Sequence, residues 1–209
     1  MSKPWYLVAW LLVIELAIVL ILVPGDLTSR AIEKEAVYIK QSLGQQSQEW
    51  VHDKAERWYQ STMMDSGFYA GMHRTFIPTK EEKMKSKGLE NFGSHWFTFI
   101  EGRIESFTKV VYQFYTRIAL FTLWMPYILV LLVPAIFDGL MTWKIKRTNF
   151  DYASPVIHRY STRAVSYIVI GAIVLSFVPI AITPMLMPLL MMLWSVFAGL
   201  MIGNFQKRV

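Results

Sequence analysis

The chain has no cysteine. That excludes a disulfide framework, a thiolate nucleophile and any cysteine-ligated zinc or iron–sulfur site, and it leaves the redox compartment open. Charge is also scarce. Charged residues make up 17% of the 209, against about a quarter in an ordinary soluble domain. The shortage falls in a few long apolar runs, while the segment between the first two runs has ordinary soluble composition. The four histidines, His52, His73, His95 and His158, fit no metal-ligand spacing. The nearest approach, His52 with Glu56 one helical turn on, is common on solvated helices. No Gly-rich phosphate loop follows a strand pattern, and no serine or carboxylate pair falls in a catalytic arrangement. No metal, no cofactor and no enzymatic activity are expected.

What the sequence does have is apolar runs of membrane length. The first, Trp5 to Val23, reaches about 28 Å as a helix, close to the thickness of a bilayer core. It exceeds a signal-peptide core and no small-x-small cleavage site follows, so it reads as an uncleaved anchor. The second is Ile118 to Phe137, ending at Asp138-Gly139. The third is Val165 to Ile182, and the fourth, Met185 to Ile202, follows across a Thr183-Pro184 turn. Pro126 and Pro134 are kink candidates in the second span, which lipid-embedded helices tolerate. The expected fold is an all-α polytopic membrane protein with four transmembrane helices and a helical extramembrane insert between the first and second. Its parts are an anchor at 1–23, an insert at 24–117, three more spans over 118–203 with a basic loop at 138–164, and a tail at 204–209.

The cations orient these spans. Lys3, Lys144, Lys146, Arg147, Arg159, Arg163, Lys207 and Arg208 face Asp138 and Asp151 alone, in short stretches beside the spans, whereas residues 24–117 are nearly neutral. The positive-inside rule puts both termini in the cytoplasm of a bacterial inner membrane and the insert on the outer, periplasmic side. Within the insert, Thr28 to Met64 reads as one long helix with an apolar stripe at Ile32, Ala36, Ile39, Leu43, Trp50, Trp58 and Thr62, interrupted by Gln46 and Lys54. A second helix is expected from near Ser94 into the second span, paired antiparallel with the first. The stretch Asp65 to Gly93, with its lysine-rich run Lys80 to Lys87, reads as a loop with one exposed helical turn.

Four features are candidates for function. Glu15, mid-span, costs about 3 kcal/mol to insert, so it is expected to face the bundle or a partner helix. A proton or cation relay needs a second intramembrane ionisable group, and the spans offer none. Gly199 and Gly203 form a small-x-x-x-small face suited to close packing, within the bundle or between copies as a homo-oligomer. Lys144, Lys146, Arg147, His158, Arg159 and Arg163 form a basic cluster for anionic membrane lipids or an acidic partner, each cation contributing about 1 kcal/mol near the surface. So few cations beside a membrane follow little phosphate backbone, and direct nucleic-acid binding is not expected. The fourth feature is the methionines of the last hairpin. They could suit copper, but they lack His or Cys at the mouth and read as flexible apolar filler.

Two stretches carry a family resemblance: Val133-Pro134-Ala135-Ile136-Phe137-Asp138-Gly139-Leu140 and Ala153-Ser154-Pro155-Val156-Ile157-His158-Arg159-Tyr160. With the order anchor, helical insert, basic loop and hairpin, they resemble a family of membrane proteins carried by integrating conjugative elements and related conjugative plasmids. The resemblance implies a role in conjugative DNA transfer. It suggests a non-enzymatic accessory subunit that assembles with type IV secretion components or their coupling ATPase. A small transporter or channel for protons, cations or metal is one alternative, and exclusion of incoming elements through the insert is another.

Overall fold

The computed structural model describes residues 4–23, 25–77, 90–149 and 151–205, and these are helical with no strand among them. The elements are α1 (Pro4–Leu22), α2 (Gly25–Leu43), α3 (Gln45–Tyr59), a π-helical turn (Gln60–Asp65), α4 (Phe68–Phe76), α5 (Glu90–Thr148), α6 (Pro155–Phe177) and α7 (Leu186–Gly203). Among the described residues, three helices are long and apolar enough to cross a membrane: the Thr98–Thr148 part of α5, α6 and α7. The first expected span is the 19-residue α1.

Two compact units emerge, one of Met1–Ala119 with Ser176–Thr183, the other of Leu120–Leu175 with Pro184–Val209. In the first, the expected single helix from Thr28 to Met64 is broken. Gly44 takes φ 85°, a left-handed conformation that costs glycine little, and the chain reverses there. The pairing also differs from the antiparallel hairpin expected of the insert. Gly25 lies against Ser106 and Glu35 against Arg117, so α2 runs in the same sense as α5. α3 then leads back to the same stretch of α5, where His52 and Tyr59 meet Tyr112 and Trp58 meets Tyr115.

The buried face of α2 is Thr28, Ala31, Glu35 and Ile39, and that of α3 is Val51 and Ala55. This is a different face from the expected stripe, of which only Ile39 lies within it. Trp50 and Trp58 instead flank Lys54, whose Nζ lies 5.0 and 5.4 Å from their ring centroids. A cation sandwiched by two rings needs no core position, which explains why Lys54 interrupted the stripe. Between Asp65 and Gly93 the nine-residue α4 replaces the one exposed turn expected. The Lys80–Lys87 run lies outside the described residues.

α5 is a 59-residue helix that passes through Pro126 and Pro134 without ending. Its N-terminal part begins at Glu90, four residues before the expected Ser94. More consequentially, it also passes through Asp138-Gly139, so the expected basic loop at 138–164 shrinks to the short link before Pro155. Lys144, Lys146 and Arg147 sit on the last turns of a helix, where cations complement the terminal carbonyls. Gly139 is a packing residue rather than a stop. A Cβ there would fall 2.7 Å from the carbonyl oxygen of Gly199, and one on Gly199 would fall 2.8 Å from that of Ala135. α6 starts as the Ser154-Pro155 pair suggested, with the Ile157 amide donating to Ser154 Oγ at 3.4 Å. It ends at Phe177 rather than Ile182, because Val178 precedes Pro179 and is thereby turned away from helical dihedrals.

The α5–α7 contact yields a stability prediction. Gly139→Ala and Gly199→Ala are expected to force the two backbones apart and cost about 1–3 kcal/mol each. Gly171→Ala, where an added Cβ meets nothing within 4 Å, is the neutral control. Unfolding midpoints in mild detergent check the ranking.

Candidate functional site

The most constrained polar arrangement in the first unit joins three segments far apart in sequence. Glu35 on α2 and Arg117 on α5 form an ion pair with both side chains 4% exposed. Arg117 Nε and Nη2 donate to Glu35 Oε1 at 3.0 and 2.6 Å. The same guanidinium donates to the carbonyls of Val178 and Ile180, at 2.8 and 2.6 Å. The amide of Ile182 donates to Glu35 Oε1 at 3.0 Å. The pair therefore satisfies the backbone of the turn that follows α6. Pro179 interrupts helical bonding in that turn, where the Ile180 amide reaches back to the Val178 carbonyl at 2.8 Å, and the pair supplies partners to the Ile180 carbonyl and the Ile182 amide. Arg117 is suited to this because its planar fork presents five donors in fixed directions. Phe114, one turn back on α5, stacks on Phe177 at 4.4 Å between centroids.

Sequence reasoning missed this pair. Glu35 and Arg117 were counted among the ordinary charges of a nearly neutral segment. Their one signal was position: Glu35 falls between Ala31 and Ile39 on what proves to be the buried face of α2.

Glu15 is the other acidic group of this unit that calls for comment. Both its carboxylate oxygens are buried without a hydrogen-bond partner, and Arg117 is the charged group whose field reaches it. Thr28 and Gln113 are fully buried as well, and their side-chain polar atoms find no hydrogen-bond partner.

In the second unit, Gly199 and Gly203 face α5 of the same chain, with Gly203 against Thr142 and Gly199 against Ala135 and Gly139. The small-residue face is filled internally. The six basic candidates separate. Lys146 Nζ donates to Asn204 Oδ1 at 2.8 Å, which ties the end of α5 to the end of α7. Arg147 lies 5.4 Å from the Trp143 ring centroid. His158 Nδ1 donates to the Met201 carbonyl at 2.9 Å and packs edge-on against Phe205. Lys144, Arg147, Arg159 and Arg163 are exposed.

In the first unit, Tyr112 Oη and His52 Nδ1 lie 2.6 Å apart, and His52 Nε2 lies 3.4 Å from Glu56. The sequence pair is real, but it is a surface chain with no third acidic or imidazole ligand. Among the described residues no group of three or more His, Cys, Asp or Glu side chains could hold a metal ion.

The fold and the site together define a membrane protein, helical throughout its described elements, whose buried ion pair is committed to holding helices and a turn in register. A family model described as IncC plasmid conjugative DNA transfer protein DtrJ-like matches residues 25–206, and the chain belongs to this DtrJ-like family. The resemblance to a conjugation-associated family is borne out. No curated protein and no solved structure matches the chain.

Two predictions follow from these contacts. Glu35→Ala or Arg117→Ala leaves a buried partner uncompensated and is expected to cost about 3–5 kcal/mol, while the double replacement by Leu and Met costs less than the sum. A double-mutant cycle on unfolding in detergent measures this. The second prediction concerns Tyr59. Burial raises its phenol above the ordinary value of 10.0, a hydrogen bond with Thr108 opposes the shift, and the nearby Tyr69 adds to it. A raised folded value means stability is intact below pH 10 and is lost as pH climbs through the folded value. Tyr59→Phe is expected to move the alkaline loss of folded structure upward, read by circular dichroism.

Proposed function

We propose that this protein is a non-enzymatic inner-membrane accessory subunit of a conjugative transfer complex of the type IV secretion kind. In this reading it docks to other membrane components such as the coupling ATPase. The observation that carries the reading is family membership across residues 25–206 combined with helices able to cross a membrane. α1 serves as a fourth span, and both termini face the cytoplasm. Eight cations beside the spans favour that orientation. The exposed Arg159 and Arg163, one turn apart on α6, suit an acidic cytoplasmic partner. Large apolar side chains exposed along α1, among them Trp10, Val13 and Ile14, suit lipid or a partner helix.

Affinity purification in mild detergent, from cells expressing the whole transfer system, is expected to recover the coupling ATPase or channel subunits. Replacing both Arg159 and Arg163 by Glu is expected to lower that recovery, and transfer frequency with it, by about tenfold, the equivalent of 1.4 kcal/mol. Recovery of the chain alone would overturn the reading.

A second reading, a proton or cation relay, is favoured by one observation: Glu15, Thr28 and Gln113 are buried with unpartnered polar atoms, and Arg117 lies within electrostatic reach of Glu15. Under it Glu15→Gln abolishes flux in proteoliposomes while leaving assembly intact. Under the docking reading Glu15→Gln is mild, and Glu15→Leu weakens complex formation.

A further inference from the structure

The basic end of the second unit holds a cleft of about 460 Å³ between α5, α6 and α7. Its walls are Leu140 and Trp143 of α5, His158 and Thr162 of α6, and Met201, Ile202 and Phe205 at the end of α7. The volume lies in the range of small-molecule sites. Two observations say what fits it. First, the wall is apolar along its length and its polar atoms are occupied. His158 Nδ1 is bound to Met201, and Thr162 Oγ1 donates to the His158 carbonyl at 2.8 Å. Second, two cations lie beside lining residues. Arg147 is held over the face of Trp143, and Lys146 is anchored to Asn204 beside Phe205. Trp143, with the exposed Tyr152 and Tyr160 nearby in sequence, gives this end the aromatic and basic character of a membrane–water interface.

We infer that this cleft is a binding site for one anionic phospholipid. An acyl chain lies along Leu140, Thr162, Met201 and Ile202, and the phosphate meets Arg147 and Lys146. Two cations beside the lining favour a lipid of net negative charge over a zwitterionic one, whose phosphate is already balanced by its own ammonium. Their placement also divides the basic cluster: His158 lines the cleft and Lys146 and Arg147 contact residues beside or in its lining, while Lys144, Arg159 and Arg163 lie on exposed faces. The site rests on membrane insertion of the second unit and not on any role in conjugation.

The full-length chain, purified in mild detergent and exchanged into phosphatidylglycerol or phosphatidylcholine, tests this by native mass spectrometry. One phosphatidylglycerol should be retained in preference to phosphatidylcholine. Arg147→Gln should lower that retention about fivefold, the effect of one cation at the surface, whereas the exposed Arg74→Gln should not. Thr162→Trp, which fills the cleft, should abolish retention. If that variant does not fold, a benzophenone amino acid at Leu140, photolysed in native membranes, gives an independent answer. A lipid-mass adduct supports the site. A protein adduct, the chain's own tail included, overturns it, as does equal retention of the two lipids.

Discussion

The first unit depends on a charge pair buried where bare backbone would otherwise be left without partners. Glu35 and Arg117 are each costly to bury, and the Coulomb gain between two such ions does not by itself guarantee net stability. What offsets the cost here is that neither ion is satisfied by the other alone. Arg117 uses one edge of its guanidinium on the carboxylate and the rest on the carbonyls of Val178 and Ile180, and Glu35 takes the Ile182 amide. The arrangement works as a three-way joint among α2, α5 and the turn after α6. Loss of Arg117 removes a donor from the Val178 and Ile180 carbonyls, loss of Glu35 removes the acceptor of the Ile182 amide, and either loss leaves the partner ion uncompensated.

The second unit is held by a different means. α5 and α7 approach through glycine and small side chains, with backbone oxygens where a Cβ would clash. Close backbone contact of this kind is the usual solution where lipid supplies no hydrophobic drive for helix association. Gly139 is the pivotal residue, since its missing side chain admits α7 and its presence mid-helix costs about 1 kcal/mol of helix propensity. The face that could have joined two copies is thereby filled within one chain, which shifts the search for partner contacts to the exposed surfaces of α1 and α6.

The basic residues show how position divides a cluster that composition treats as one. Lys146 and Arg147 are held by Asn204 and Trp143 at a cleft mouth, whereas Arg159 and Arg163 extend from α6. Cations held in fixed positions can select one anionic group. Cations free on a surface act chiefly through long-range attraction.

Much of the helical content was legible in the sequence, because unbroken apolar runs and the Ser154-Pro155 start are local signals that lipid-length helices and caps obey. The small-residue spacing of Gly199 and Gly203 also announced close packing. Three things were decided by tertiary structure alone. Asp138-Gly139 reads as a stop, yet the helix continues because a neighbouring helix needs the space. Gly44 reads as one more residue in a helix, yet it takes a left-handed turn that sends α2 along α5 and α3 back. Glu35 and Arg117, 82 residues apart, carry no mark of their pairing, because their other partners are backbone groups of a third segment. A sequence states which groups need partners locally. Only the folded chain determines which distant group supplies them.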